Sequence, residues 1–308
     1  MNLINIAPQF LWKLSAIGCF LLASASSIVL IFPKIRAQSK IRAAVLSWWP
    51  VVIVAMAATL FGPIATLSVV TLVSGALVYE FLKLIHLEAV EFKIYVFLGM
   101  FLSICCNIVF FLNPMKSLLV LLTFLFLILP AVQMVYFGFE NYIKKVSAIQ
   151  SALFMNIGLL LFVNLIILIP LRPTPYGSQG AAVCFFATVI VSDAMQYVGG
   201  KLWGRHKLIP HISPGKTREG IIFSSLVCGV MCLFLAPLLL GFSHLGGFFW
   251  GVSSSVLGLA GDLIISAWKR DAGVKDTGQV LPGQGGVLDR CDSLLYLAPW
   301  YCLGLWVF

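Results

Sequence analysis

Ten apolar runs, most of them close to 20 residues long, follow one another through this chain with only short polar connectors between them. A helix needs about 20 apolar residues to cross the hydrocarbon core of a bilayer, whereas a barrel strand needs about 10. The runs lie at roughly 14–32, 43–61, 64–82, 94–112, 117–139, 152–171, 181–199, 221–242, 246–267 and 294–308, and they are too long for strands. In lipid every backbone polar group has to be satisfied within the protein, and a helix does this span by span. The expected fold is therefore an all-α polytopic membrane protein with about ten transmembrane helices. Composition agrees, with 61% hydrophobic residues and 10% charged ones, where soluble domains carry about 25%.

The cations set the expected orientation. With the N-terminus outside, all of the 20 Lys and Arg except Lys13, Lys116 and Arg172 fall in connectors or helix ends on the inner side. This is the positive-inside bias, and it also accounts for the net charge of +9, so nucleic acid is excluded as a partner. Ala23-Ser24-Ala25 resembles a signal-peptidase site. The apolar run continues through Phe32 into a basic cluster, however, so the first span is expected to stay uncleaved. Seven of the eight cysteines lie in apolar spans, there is no CxxC, and the four histidines have no zinc-ligand spacing.

Polar residues are concentrated late in the chain. Residues 1–180 read as an N-terminal scaffold half and 181–308 as a catalytic half, with loops 200–220 and 268–293 facing the cytoplasm. In the first half the intramembrane acid is Glu80, in YEFLKL near an inner helix end, where it is expected to meet a cation or reach the interface, with a catalytic role as the alternative.

Two constellations carry chemistry. In VSDAMQYVGGKLWGRHKLIPHISPGKTREG, Asp193 lies about two turns before the end of its span, a costly place for a carboxylate unless a cation or water faces it. SPGKT resembles the end of a P-loop, but the first glycine of that motif and its preceding strand are missing. What remains is an expected turn at Pro214-Gly215, with Lys216 and Thr217 opening a helix where N–H groups and an ammonium can hold phosphate. Lys201, Arg205 and Lys207 read as contacts to anionic lipid headgroups. In SAWKRDAGVKDTGQVLPGQGGVLDRCD, Asp289 and Asp292 are three apart, so a helix there would put both on one face, with Asp262 upstream. Mg²⁺ takes a few carboxylates and completes its shell with water and phosphate oxygens, and these three aspartates suit it. Gly283, Gly285 and Gly286 permit close backbone approach, while Lys269, Arg270, Lys275 and Arg290 can neutralise phosphate.

Taken in order, these residues resemble the signature of the phosphatidate cytidylyltransferase (CDP-diacylglycerol synthase) family. The matching positions are Asp193, Tyr197, Gly200 and Gly204, then Ser213 to Thr217 with Glu219 and Gly220. They continue through Gly261-Asp262-Leu263, Ser266, Lys269-Arg270, Lys275-Asp276, Pro282-Gly283, Gly285-Gly286, Asp289-Arg290 and Asp292, so the resemblance covers about the last 120 residues. It implies transfer of the cytidylyl group of CTP to phosphatidate, giving CDP-diacylglycerol and pyrophosphate. It further implies Mg²⁺ on Asp262, Asp289 and Asp292, with a second, monovalent cation nearby. Lys216, Lys269, Arg270, Lys275, Arg290 and Gln284 become the catalytic candidates; Asp193, Ser213, Thr217, Asp276, Gly283, Gly285 and Gly286 become the substrate-binding ones. The implied place is a bacterial inner membrane with the site facing the cytoplasm, and a second copy of the chain is a candidate partner.

Four positions depart from the signature. Gln284 stands for a histidine, Ile265 for a glutamate, Trp268 for a smaller apolar residue and Cys291 for an aliphatic one. Gln284 hydrogen-bonds but does not titrate near neutrality, and Ile265 removes a carboxylate. Three other readings therefore stay open: a CTP-dependent enzyme acting on another lipid phosphate or a polyprenol, a non-catalytic paralogue, and an ion-coupled transporter using Asp193 and Asp262.

Overall fold

The computed structural model describes residues 63–171, 173, 175–278 and 285–307. The expected spans 14–32 and 43–61 lie outside the described residues, as do Gly283 and Gln284. Seven helices are long and apolar enough to cross a membrane. They are α1 (Pro63–Lys83), α2 (Ala89–Leu112), α3 (Pro114–Phe137), α4 (Tyr142–Leu168), α5 (Gly177–Leu202), α6 (Arg218–Leu240) and α7 (His244–Asp271). A four-residue helix, α8 (Leu288–Cys291), leads into α9 (Leu294–Val307), which at 14 residues is shorter than the others. Between α5 and α6 the chain forms a two-stranded antiparallel hairpin, β1 (Lys207–Ile209) and β2 (Ser213–Thr217).

The hairpin corrects the expectation of a turn at Pro214-Gly215 followed by a helix at Lys216. The reversal falls at residues 210–212, closed by Ile212 N–H donating to the Ile209 carbonyl at 3.2 Å. Pro214, Gly215 and Lys216 all belong to β2. Lys207 pairs with Thr217 and Ile209 with Ser213, so the register shifts between them and the extra residues of β2 are taken up as a bulge. In a two-stranded ribbon one side of each strand is an edge, which is where a proline without an N–H is tolerated. The expected loop 268–293 is also shorter than it reads, because α7 continues to Asp271 and carries Lys269 and Arg270 in its last turn.

Helix contacts inside the bundle follow membrane rules. Where lipid is as apolar as the side chains, close backbone approach and internal hydrogen bonds hold helices together. On α7 the small residues Gly247, Gly251 and Ser255 recur every four positions; a Cβ at Gly251 would overlap the Cys228 carbonyl oxygen of α6. Helix α3 is interrupted by a π-turn at Phe124–Ile128 just before Pro130, and Leu129 N–H reaches back to the Phe124 carbonyl. This leaves the Leu125 carbonyl without its helical partner, and Gln150 Nε2 of α4 donates to it at 2.8 Å. At the same end of the bundle Glu91 of α2 accepts from Lys145 at 2.9 Å and from Gln133 at 3.3 Å, and Gln133 accepts from Tyr95 at 2.5 Å. Deeper in, Asn164 of α4 donates to Asn107 of α2 at 2.8 Å.

Because the helices alternate in direction, one end of the bundle collects the C-termini of α1, α3, α5 and α7 and the N-termini of α2, α4, α6 and α9. The hairpin and the segment around α8 cover this end. It is also where Lys83, Lys144, Lys145, Lys201, Arg205, Lys216, Lys269, Arg270 and Arg290 lie, so most of the described cations sort to one face, with Lys116 at the other.

Candidate active site

Four parts of the chain meet at that face. Helix α5 supplies Asp193 and Gln196, β2 supplies Lys216, α7 supplies Asp262, Ser266 and Lys269, and the α8 segment supplies Asp289, Arg290, Asp292 and Ser293.

Lys216 is the centre of the arrangement. Its Nζ lies 2.5 Å from Asp262 Oδ2 and donates to Gln196 Oε1 at 3.0 Å. Gln196 is itself held, since its Nε2 donates to Ser192 Oγ at 3.0 Å, and Ser192 and Ser224 each lie 2.9 Å from Ser255 Oγ. Burial opposes the Lys216 charge, but Asp262, Asp193 and Asp292 more than offset it and leave the ammonium with a raised pKa. Lys216 is therefore a fixed positive charge. Ser266 Oγ donates to the other Asp262 oxygen at 3.3 Å, and Ser293 Oγ donates to Asp193 at 2.9 Å.

Asp292 completes a trio of carboxylates with Asp193 and Asp262. Burial first, and then the charges of Asp262 and Asp193, push its carboxyl well above the ordinary range despite Lys269 and Lys216. Asp289 is in the opposite condition. Burial works against its charge, yet Lys269 at 2.6 Å and the N–H groups of Gly286 and Thr277, both at 2.9 Å, hold its pKa down. Arg290 lies within electrostatic reach of Asp292, Asp289 and Asp193, and burial lowers its pKa.

Asp289 lies in α8 and Asp292, the residue that ends it, keeps helical φ and ψ (−60° and −44°), so the backbone sets both on one side of the turn, yet their carboxylates meet different partners. Helix α8 ends after one turn; Asp289 is directed to Lys269 and Thr277, while Asp292 senses Asp262 and Asp193. As arranged, no three carboxylate, imidazole or thiolate groups among the described residues converge on one point that could hold an ion. The grouping that does form is Asp193, Asp262 and Asp292 about Lys216.

The remaining candidates divide between bracing and exposure. Arg270 ties the hairpin to the end of α7, with Nε donating to the Ile212 carbonyl at 3.1 Å and a terminal nitrogen to the Val274 carbonyl at 3.0 Å. Lys275 and Asp276 are exposed. Ser213 is half-buried in β2, and Thr217 is buried as the N-cap of α6, accepting from Gly220 N–H at 3.1 Å. Gly285 has a φ of +87°, and Gly286 packs where any Cβ would overlap Glu80 and Thr277. The isoleucine at 265 is fully buried in the apolar core, and Trp268 meets Phe81 edge-on at 4.6 Å.

Sequence reasoning missed Gln196, Thr277 and Ser293, and it misjudged Glu80. Gln196 is three residues after Asp193 on the same helix, a spacing that marked it as a neighbour. Glu80 forms no ion pair with Lys or Arg among the described residues. Instead it accepts from Thr277 Oγ1 at 2.9 Å, Val287 N–H at 2.9 Å and Leu288 N–H at 2.8 Å.

A family profile described as the cytidylyltransferase family matches residues 42–308 of the chain. The chain is 32% identical over 262 residues to the uncharacterized protein YnbB of Escherichia coli (strain K12), covering 82% of this chain and 83% of that protein. It is 36% identical over 173 residues to a phosphatidate cytidylyltransferase of Mycobacterium bovis, covering 54% of this chain and 53% of the relative. To a phosphatidate cytidylyltransferase of Staphylococcus epidermidis it is 42% identical over 130 residues, covering 40% and 48%. The chain thus spans about half the length of these two relatives.

Proposed function

This chain belongs to the cytidylyltransferase family, and from that premise we propose that it transfers the cytidylyl group of CTP to the phosphate of phosphatidate, giving CDP-diacylglycerol and pyrophosphate. The observation that carries the reading is the gathering of Asp193, Asp262 and Asp292 about Lys216 at one end of an apolar bundle. The names of the Mycobacterium bovis and Staphylococcus epidermidis relatives support the choice of acceptor.

The donor set suits Mg²⁺. Carboxylate oxygens are the hard ligands this ion takes, and a carboxyl such as Asp292, held up by burial and then by like-charged neighbours, is relieved by added positive charge. We assign the ion to Asp262 and Asp292, with Asp289 as the third ligand at the expense of its contact to Lys269. The second, monovalent cation that the resemblance implies would draw on the same carboxylate cluster. When bound, the ion neutralises phosphate charge and polarises the phosphorus–oxygen bonds under attack.

The chain's own groups do the rest. Lys216, oriented by Gln196, and Lys269 and Arg290 supply fixed cations for two polyanionic reactants, which otherwise repel each other. A phosphomonoester has a second pKa of about 6, so the attacking oxygen is already ionised at neutral pH and needs no general base. Glutamine at 284 is compatible with such a reaction. The sorting of cations to the site's face supports a cytoplasmic orientation in a bacterial inner membrane. The buried Ile265 supports a second reading, another lipid phosphate as acceptor, because the signature's glutamate is absent there.

The test is incubation of the purified full chain with labelled CTP, phosphatidate and Mg²⁺. Labelled CDP-diacylglycerol, lost on adding EDTA, is the expected product. Transfer to a different lipid phosphate but not to phosphatidate would replace the acceptor, and failure with every lipid phosphate would overturn the reaction.

A further inference from the structure

Glu80 is a buried acid with no Lys or Arg ion pair among the described residues. Its residue is 4% exposed, at the inner end of α1, nearly two hundred positions before the loop it touches. Burying a carboxylate is costly unless hydrogen bonds take the place of its hydration. Here three donors from that loop do so: Thr277 Oγ1, Val287 N–H and Leu288 N–H. The fit is tight from both sides, since a Cβ at Gly278 would lie 2.9 Å from Glu80 Oε1 and one at Gly286 would overlap Oε2. Beside this contact, Phe81 packs on Trp268.

The same loop holds Asp289, through Thr277 and Gly286. Thr277 Oγ1 lies 2.9 Å from Glu80 Oε2 and 3.0 Å from Asp289 Oδ2. A hydroxyl has one proton, so it donates to one of the two carboxylates at a time. The two acids are coupled through that proton. If Asp289 turns away from Thr277, the hydroxyl is left wholly to Glu80, and the loop keeps its anchor.

We propose that Glu80 is a positioning residue: it clamps the segment carrying Asp289, Arg290 and Asp292 to α1, and thereby lets Asp289 change partners without releasing the loop. The proposal rests on the reaction proposed above only for what Asp289 does; the clamp itself is a statement about the loop. It makes the N-terminal half part of the catalytic unit rather than a scaffold beside it.

Two readouts test this on the detergent-purified full chain. The first is the rate at which Cys291, half-buried at the end of α8, reacts with a maleimide, mapped by mass spectrometry. The second is kcat and KM for CTP and phosphatidate with the Mg²⁺ requirement. Glu80→Ala and Glu80→Gln are expected to speed Cys291 labelling and to lower kcat or raise the Mg²⁺ needed by about 10- to 100-fold, the usual effect of losing a residue that orients a ligand. KM for phosphatidate is expected to stay within about 2-fold, because the clamp does not touch substrate. Glu80→Asp, which keeps the charge, is expected to recover part of both. Should the Glu80 variants fail to insert, Thr277→Val removes only the shared hydroxyl and is expected to change the same two readouts in the same direction. Unchanged labelling with kcat and Mg²⁺ requirement at the wild-type level, in whichever of these variants is folded, would overturn the clamp. Faster labelling in a protein that transfers no cytidylyl group under any condition would support the clamp and sink the reaction instead.

Discussion

At the scale of single residues the site is a balance between carboxylates that are satisfied and one that is not. Asp289 is surrounded by donors and its pKa is lowered, while Asp292 is buried among like charges and its pKa is raised. The linkage signs are opposite. A depressed carboxyl such as Asp289 contributes stability above its unfolded pKa of about 3.9 that is lost as pH falls further. A raised one such as Asp292 binds its proton more tightly folded than unfolded, so stability falls as pH rises from about 3.9 toward its folded pKa. In EDTA, the thermal midpoint of the detergent-solubilised protein is therefore expected to decline with rising pH across that window. Asp292→Asn, which keeps the shape without the charge, should flatten the decline and melt higher at neutral pH, while abolishing transfer. An identical pH profile for the two proteins would show that Asp292 is not the strained group.

At the scale of elements, the irregularities carry the packing. The π-turn in α3 exists beside Pro130, and its cost is a carbonyl that lipid cannot satisfy; Gln150 reaches across from α4 to take it. Gln150→Leu, similar in size and apolar, should leave that carbonyl unpaired and destabilise the bundle by about 1–3 kcal/mol, the cost of an unsatisfied buried polar group. The change is read as a lower midpoint in detergent, with transfer by the surviving protein little altered, because α3 and α4 lie away from Lys216. A midpoint equal to wild type would mean that water or a rearranged backbone serves the carbonyl instead. The hairpin is the other irregular element. Its bulge places Lys216 in a strand facing Asp262, and Arg270 holds its turn to α7.

At the scale of the whole molecule, the alternation of helix directions puts every site residue and nearly all of the described cations on one face. If the positive-inside rule decides orientation, that face is cytoplasmic. Cysteines introduced at positions 205 and 275 are then expected to be shielded from impermeant reagents added to intact cells, and one at 176 to be labelled. Outside labelling of position 275 would reverse the orientation and remove the CTP site from the cytoplasm.

Much of this was legible in the sequence because lipid imposes length and polarity on each span, one by one. The eight described apolar runs, the one-sided cations and the clustering of chemistry after residue 180 needed no long-range information. Local spacing paired Asp289 with Asp292, and the resemblance joined Asp262 to them, but Asp193 stood in a separate constellation and nothing local could decide how the four divide. The division depends on which donors arrive from elsewhere: Lys216 from the hairpin joins Asp262, and Lys269 from α7 takes Asp289. Asp289 and Asp292 sit one helical turn apart, and the different partners they meet come from donors brought in by other elements, not from the spacing. Glu80 shows the limit most plainly. Its neighbours in sequence are apolar and its partners in space are more than 190 residues away, so its role belongs to the tertiary fold alone.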